Sequence, residues 1–238
     1  MKKKIVVANN LCIDFPIYSS SNRSIRKVIT STIGGGVKNS HSGRTIVSAI
    51  KNASFTFYSG DKVGLIGHNG AGKSTLLRCL AGVYAPTHGS LSVFGSVASL
   101  LDLALGLDSE ATGVENIYIR GVLFGIKPRD LKMKIDEISE FSELGEFLNI
   151  PIRAYSSGML LRLAFSIFSI LQPEIILMDE WLSVGDEGFN KKASERLNDM
   201  VGNSALLVLA SHDKDLVSSI CNRIFRIEHG QLIEITNI

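Results

Sequence analysis

Gly67-His68-Asn69-Gly70-Ala71-Gly72-Lys73-Ser74 decides how this chain is read. The stretch matches G-x-x-x-x-G-K-[ST], the pattern of a loop whose backbone N–H groups close around phosphates. Before it, Val63-Gly64-Leu65-Ile66 reads as a buried strand, and after it Ser74-Thr75-Leu76-Leu77 opens a helix. The chemistry requires that order, because glycines let the backbone approach an anion and a helix N-terminus adds positive potential. In such a loop Lys73 reaches the β- and γ-phosphates of a nucleoside triphosphate and the Ser74 hydroxyl ligates Mg²⁺. Gly67, His68, Asn69, Gly70, Ala71, Gly72 and Thr75 complete the cradle.

Outward from the loop, short apolar runs alternate with amphipathic ones. Strands are expected over 62–66, 175–179 and 205–210, with shorter ones near 90–103. Helices are expected over 73–81, 157–171, 189–200 and 214–221, a helical middle over 113–148, and a terminal hairpin over 223–236. Buried strands alternating with helices predict an α/β fold with a mainly parallel sheet. Residues 5–13 and 46–57 also read as strands, flanking a segment rich in Ser, Gly and basic residues that behaves as an insertion over 19–43. Within it, Ile25, Val28, Ile29 and Thr32 form one face of a short helix with Arg23, Arg26 and Lys27 opposite, or the segment is a surface loop. Both readings stand at this level.

Two further stretches extend the phosphate chemistry. Ile175-Ile176-Leu177-Met178-Asp179-Glu180 is a buried strand that delivers two carboxylates at its end. Asp179 is expected to hold the Mg²⁺ shell and Glu180 to polarise the attacking water as general base. Ala210-Ser211-His212-Asp213 also follows an apolar strand, which places His212 for contact with the γ-phosphate.

Composition narrows the class. With 238 residues, 45% hydrophobic, 20% charged and 5 Pro, the chain is neither collagen-like nor a highly charged disordered polymer. No run reaches the roughly 18 apolar residues of a membrane span, so a membrane role is expected to be peripheral or through a partner. Met1-Lys2-Lys3-Lys4 resembles the start of a signal peptide, but Asn9, Asn10 and Asp14 interrupt it, and a cytoplasmic location is expected. Cys12, Cys79 and Cys221 form no C-x-x-C pair and are expected to be reduced thiols. The net charge of +2 hides an asymmetry: residues 1–48 carry +7 and the remainder −5. The basic segment is expected to meet something anionic.

Tyr155-Ser156-Ser157-Gly158-Met159, opening a helix upstream of the acidic strand, resembles the signature motif of ATP-binding-cassette (ABC) ATPases. LSGGQ is the usual form there, so Ser157 and Met159 are departures. The resemblance implies a single domain over 1–238 of the P-loop NTPase class, an ABC nucleotide-binding domain. Its parts would be a RecA-like core, an antiparallel β subdomain and a helical subdomain over about 113–172. It also implies ATP and Mg²⁺, and a head-to-tail homodimer in which Ser156, Ser157 and Gly158 of one copy face the γ-phosphate held by the other. By the same resemblance Asp186, in Ser183-Val184-Gly185-Asp186, pairs across the dimer, and Phe15, with Tyr18 as the other candidate, stacks on adenine. Ala98-Ser99-Leu100-Leu101-Asp102-Leu103 lacks the family's Q-loop glutamine, which leaves Asp102 as the nearest polar candidate for its metal role.

Tyr155-Ser156-Ser157-Gly158-Met159 with Arg162-Leu163-Ala164-Phe165, Asp179-Glu180-Trp181-Leu182-Ser183-Val184-Gly185-Asp186, and Thr112-Gly113-Val114-Glu115-Asn116-Ile117 together are similar to ATPase subunits of polysaccharide exporters. The insertion after Phe15-Pro16-Ile17-Tyr18 is similar to the O-antigen members of that group. Implied are two copies of a transmembrane permease, a lipid-linked polysaccharide moved through the complex, and a peripheral position on the cytoplasmic face of the bacterial inner membrane. Because the sequence stops at Ile238, no carbohydrate-binding domain is expected. Two rival readings are a soluble ABC-type ATPase acting on nucleic acid or the ribosome, and an importer subunit. Without coiled-coil heptads or a second nucleotide motif, no nucleic-acid partner is expected.

Overall fold

The computed structural model describes residues 2–17, 36–39, 45–101, 103–181 and 187–236. In chain order these form β1 (Lys4–Ile17), β2 (Gly36–Asn39), β3 (Thr45–Tyr58), β4 (Asp61–Ile66), α1 (Lys73–Leu80), β5 (His88–Val93) and β6 (Val97–Ser99). Then follow α2 (Gly113–Leu123), α3 (Pro128–Ser142), α4 (Ser157–Ser169), β7 (Ile175–Asp179) and α5 (Glu187–Asn203). The chain closes with β8 (Leu206–Ala210), α6 (Lys214–Ile220), β9 (Arg223–Glu228) and β10 (Gln231–Ile235). It divides into two compact units. Tyr18, the part of the insertion with Arg23, Arg26 and Lys27, Asp102 and Asp186 lie outside the described residues, whereas β2 falls within the 19–43 insertion, where a short helix or a surface loop was expected.

The first unit comprises Met1–Leu101, Pro173–Trp181 and Ser204–Ile238. It holds a six-stranded sheet of order β10-β9-β4-β8-β7-β6 and a four-stranded antiparallel sheet of order β2-β3-β1-β5. β7 and β8 are almost wholly buried because nearly every residue is apolar, as a strand covered on both faces demands, and β4 is as deeply placed although it opens with Asp61 and Lys62. β8 pairs parallel with β4 on one side and β7 on the other. The segments leaving the C-terminal ends of these three strands therefore lie side by side, where open α/β sheets bind ligands.

β1 and β3 pair over nearly their full lengths, broken by register shifts near Asn10 and Asn52. Both asparagines have φ of 47°, a conformation that Asn tolerates better than most residues. The Asn10 N–H donates to Ser54 Oγ at 2.9 Å. β9 and β10 turn through His229 and Gly230, whose φ values of 49° and 81° are those of a two-residue hairpin loop. Phe57, Leu65, Leu76, Leu77 and Val208 are fully buried in one core.

The second unit comprises Asp102–Gln172 and Leu182–Asn203. It contains α2 to α5, so it takes in α5 as well as the segment expected to be helical. Ile117, Ile138, Leu163 and Ile167 are fully buried in its core, and Phe165 packs edge-on against Phe189 at 6.4 Å. α3 starts at Pro128, whose missing N–H has no intrahelical role there. It ends at Glu143 with φ 56°, where Lys192 Nζ donates to the Phe141 carbonyl at 3.1 Å and to Glu143 Oε1 at 3.0 Å. Among the described residues, no helix is long and apolar enough to cross a membrane.

Candidate active site

The loop after β4 enters α1 at Gly72, whose φ of 115° is outside the range of ordinary side-chain-bearing residues. A Cβ at Gly72 would lie 2.6 Å from the Ala49 carbonyl oxygen, and one at Gly67 would lie 2.4 Å from that of Ile227. The loop thus passes so close to β3 and β9 that only glycine fits at both ends of the motif. No side chain caps α1, so its first N–H groups are left to an anion. Lys73 is only 9% exposed. Its Nζ donates to the carbonyls of Gly67 at 2.8 Å and His68 at 3.3 Å, curling over its own loop.

Ser74, in the first turn of α1, hydrogen-bonds through its hydroxyl to the carboxylate of Asp179 at the end of β7. Two hard oxygen ligands from different elements are thereby placed side by side. That donor set suits Mg²⁺, which takes one or two protein oxygens and fills its octahedron with phosphate oxygens and water. Lys73, Ser74 and Asp179 line a cavity of about 390 Å³ together with Asn69, Gly70, Gly72, Thr75, Glu180, Phe15, Val47 and Ala49. The Phe15 ring is steadied edge-on by Tyr84, with centroids 5.3 Å apart. Cationic loop, paired oxygens and an aromatic ring in one cavity match the phosphates, metal and base of a nucleotide.

Glu180 sits just beyond β7 with φ 71°, a left-handed conformation that costs energy for a side-chain-bearing residue and that surrounding structure must enforce. Its N–H donates to the Ala210 carbonyl at 2.8 Å. Its carboxylate accepts from Ser211 Oγ at 2.7 Å, from His212 N–H at 3.2 Å and from His212 Nδ1 at 2.8 Å. Partial burial works against the charge, but the hydrogen bonds from His212 and Ser211 outweigh it and hold the carboxyl below the usual carboxylate range. His212 moves the other way: its hydrogen bond to Glu180 raises it above the ordinary imidazole value. Because an ionised carboxylate only accepts, the proton of this contact resides on Nδ1. The result is an oriented, ionised carboxylate suited to taking a proton from water.

Ser211 is the functional residue that sequence reasoning missed. It is fully buried, donates to Glu180 Oε2 and accepts from the Asp213 N–H at 3.1 Å. Its position between an apolar strand and the selected His212 was the available signal.

In the second unit, Ser156 caps α4 by accepting from the Met159 N–H at 3.2 Å. Ser157 is the first helical residue, and Gly158 has no atom nearer its Cβ position than Ser156 Oγ at 3.9 Å. The Thr112-to-Ile117 phrase has a mechanical meaning. Thr112 and Glu115 form a reciprocal capping box at the start of α2. Asn116 is fully buried and ties down the preceding loop: its Oδ1 accepts from the Asp108 N–H, and its Nδ2 donates to the carbonyls of Asp108, Ala111 and Thr112.

Comparison with known proteins identifies the family and the fold. The ABC transporter family model matches residues 50–183. The chain is 45% identical over 230 residues to the O-antigen export system ATP-binding protein RfbE of Yersinia enterocolitica, covering 96% of each chain. It is 39% identical over 186 residues to the teichoic acids export ATP-binding protein TagH of Listeria monocytogenes serotype 4b (strain F2365), covering 78% of this chain and 55% of that protein. Among solved structures, the dimeric post-hydrolysis state of an ATP-binding cassette bound to ADP and Pi superposes with a TM-score of 0.70. It is 18% identical and 98% of each chain is covered, a likeness of fold. With the family model spanning more than half of the chain and near-complete alignment to that Yersinia protein, the chain belongs to the ABC transporter family as one of its ATPases.

Proposed function

We propose that the chain is the ATP-hydrolysing subunit of an exporter that moves a lipid-linked polysaccharide, of the O-antigen class, across the bacterial inner membrane. It works as a homodimer with two copies of a transmembrane permease, held peripherally on the cytoplasmic face. Near-complete alignment with an O-antigen export ATP-binding protein supports the transport class. The hydrolytic reading is carried by one observation: the Glu180 carboxylate is kept ionised by Ser211 and His212 in the cavity that holds Lys73, Ser74 and Asp179.

In this reading Phe15 stacks on adenine, and the backbone of Gly67, His68, Asn69, Gly70, Ala71 and Gly72, with Thr75, cradles the phosphates. Lys73 leaves its loop carbonyls for the β- and γ-phosphate oxygens. Ser74 and Asp179 hold Mg²⁺, which when bound neutralises charge on the phosphates. Glu180 accepts the proton of the attacking water, and His212 fixes that carboxylate while facing the γ-phosphate. Ser156, Ser157 and Gly158 of the second copy complete the site through the exposed start of α4, another helix N-terminus offering N–H groups to an anion. Asp186 pairs across the dimer. ATP favours the closed dimer and its products the open one, and only such a difference in affinity can drive transport.

Deletion of the gene should abolish surface polysaccharide, with export restored by the wild-type chain and not by Lys73→Ala. A polytopic membrane protein should co-purify with the chain. Full export with Lys73→Ala would refute the reading.

A further inference from the structure

The start of α4 is fixed by more than its own cap. Upstream of the signature serine, the Tyr155 hydroxyl donates to the Phe147 carbonyl at 2.6 Å. Its ring end lies over Gly113, the first residue of α2: a Cβ added there would come within 2.4 Å of Tyr155 Oη and 2.9 Å of Leu148 Cα. Glycine at 113 is thus the seat that admits the phenol. The adjoining backbone is stapled to the loop before α2. Ile152 N–H donates to the Ala111 carbonyl at 3.0 Å, Arg153 N–H donates to that of Ser109 at 3.1 Å, and Thr112 forms a β-bridge with Pro151. Arg153 also pairs with Glu110, and the Asn116 amide holds the same loop from beneath. Ala154, Tyr155 and Ser156 follow this staple directly.

We infer that Tyr155 is a positioning residue for Ser156: its hydroxyl bond to Phe147 and its seat against Gly113 set where the signature serine and the first turn of α4 present their donors. The staple brings together two phrases far apart in sequence, Thr112-Gly113-Val114-Glu115-Asn116 and Tyr155-Ser156-Ser157-Gly158, since Gly113 leaves room for the Tyr155 phenol and Asn116 holds the loop to which Ile152 and Arg153 are bonded. Tyr155 itself is only partly buried. It touches no group of the nucleotide cavity described above, and its action runs through Ser156. The inference rests on the reading that Ser156 serves the nucleotide bound by the second copy.

The test is a double-mutant cycle on ATP turnover by the chain assembled with its membrane subunit. Tyr155→Phe keeps the ring and removes the hydroxyl. A hydrogen bond of ~1 kcal/mol corresponds to about a five-fold fall in kcat, with KM for ATP unchanged because the cradle of the same copy is intact. In a Ser156→Ala background, Tyr155→Phe should cause a clearly smaller further fall, since the serine is gone and only the N–H groups of the first turn remain to be positioned. Equal losses in both backgrounds would assign Tyr155 a merely structural role and overturn the inference. So would wild-type turnover by Tyr155→Phe while Ser156→Ala is impaired. Wild-type turnover by Ser156→Ala would refute the signature reading, and the positioning role with it.

Discussion

Asn116→Asp should be among the most damaging isosteric substitutions in the chain. The amide is fully buried. It accepts from the Asp108 N–H at 2.8 Å and donates to the carbonyls of Asp108 at 3.0 Å, Ala111 at 3.2 Å and Thr112 at 2.9 Å. Aspartate keeps the acceptor, removes two N–H donors and turns an oxygen toward three carbonyl oxygens. Each buried acceptor stripped of its donor costs about 1–3 kcal/mol, so the two lost donors together cost ~4 kcal/mol. For a chain of this size that is a fall of roughly 8–16 °C in Tm. The new carboxyl would escape part of the penalty by staying protonated, so its folded-state pKa lies above its unfolded value. The deficit therefore shrinks as pH falls through the raised folded value and is largest at neutral pH. Thermal unfolding at pH 7.5 and 5.5 measures it. ATP affinity of the isolated chain should hold, because the cavity-lining residues belong to the first unit and Asn116 to the second. A Tm within about 2 °C of wild type at pH 7.5 would refute the view that this amide fastens the loop before α2.

Three other outcomes follow from the site. Ser211→Ala leaves Glu180 without a charge-assisted hydrogen bond and Asp213 N–H without an acceptor; with Glu180 partly exposed, the low end of ~1.5 kcal/mol applies, and kcat should fall about ten-fold or less while the acid limb of its pH profile moves up. Unchanged kcat and profile would count against Ser211 as a holder of the base. Gly72→Ala combines a φ of 115° with a collision against the Ala49 carbonyl, so ATP binding measured by calorimetry should weaken by at least about ten-fold, a cost of ~1.4 kcal/mol. By NMR titration His212 should ionise above the ordinary value of about 6.5, and return toward it in Glu180→Gln. The stabilisation from raising His212 is fully present below the unfolded imidazole pKa and lost as pH rises through the folded one, whereas that from depressing Glu180 is lost as pH falls through its lowered value.

The sequence carried the central sheet and the phosphate loop because each has a local signal. Ile175 to Asp179 is apolar at nearly every position and forms the strand at those bounds, and the glycines of the loop announce a backbone that side chains cannot follow. Contacts between distant segments had no such signal. That Ser211 would turn inward and hold Glu180 depends on β8 lying beside β7, a pairing that no local periodicity states. The left-handed Glu180 was likewise hidden, since glutamate carries no propensity for that conformation. The Thr112 phrase was legible as a family resemblance, yet its physics appears only when Asn116 is seen inside the unit with its loop wrapped over it. α5 joined the second unit because Phe189, Lys192 and Arg196 meet residues of α3 and α4, a long-range match that helical periodicity alone does not reveal.

The most direct test of the account is ATP turnover by Glu180→Gln, assembled with its membrane subunit. Glutamine keeps the size and much of the hydrogen bonding of the side chain but cannot take a proton from water. The account predicts ATP binding close to wild type with phosphate release abolished over many turnover times. Near wild-type phosphate release by that variant would contradict the assignment of Glu180 as the base and, with it, the reading of the whole site.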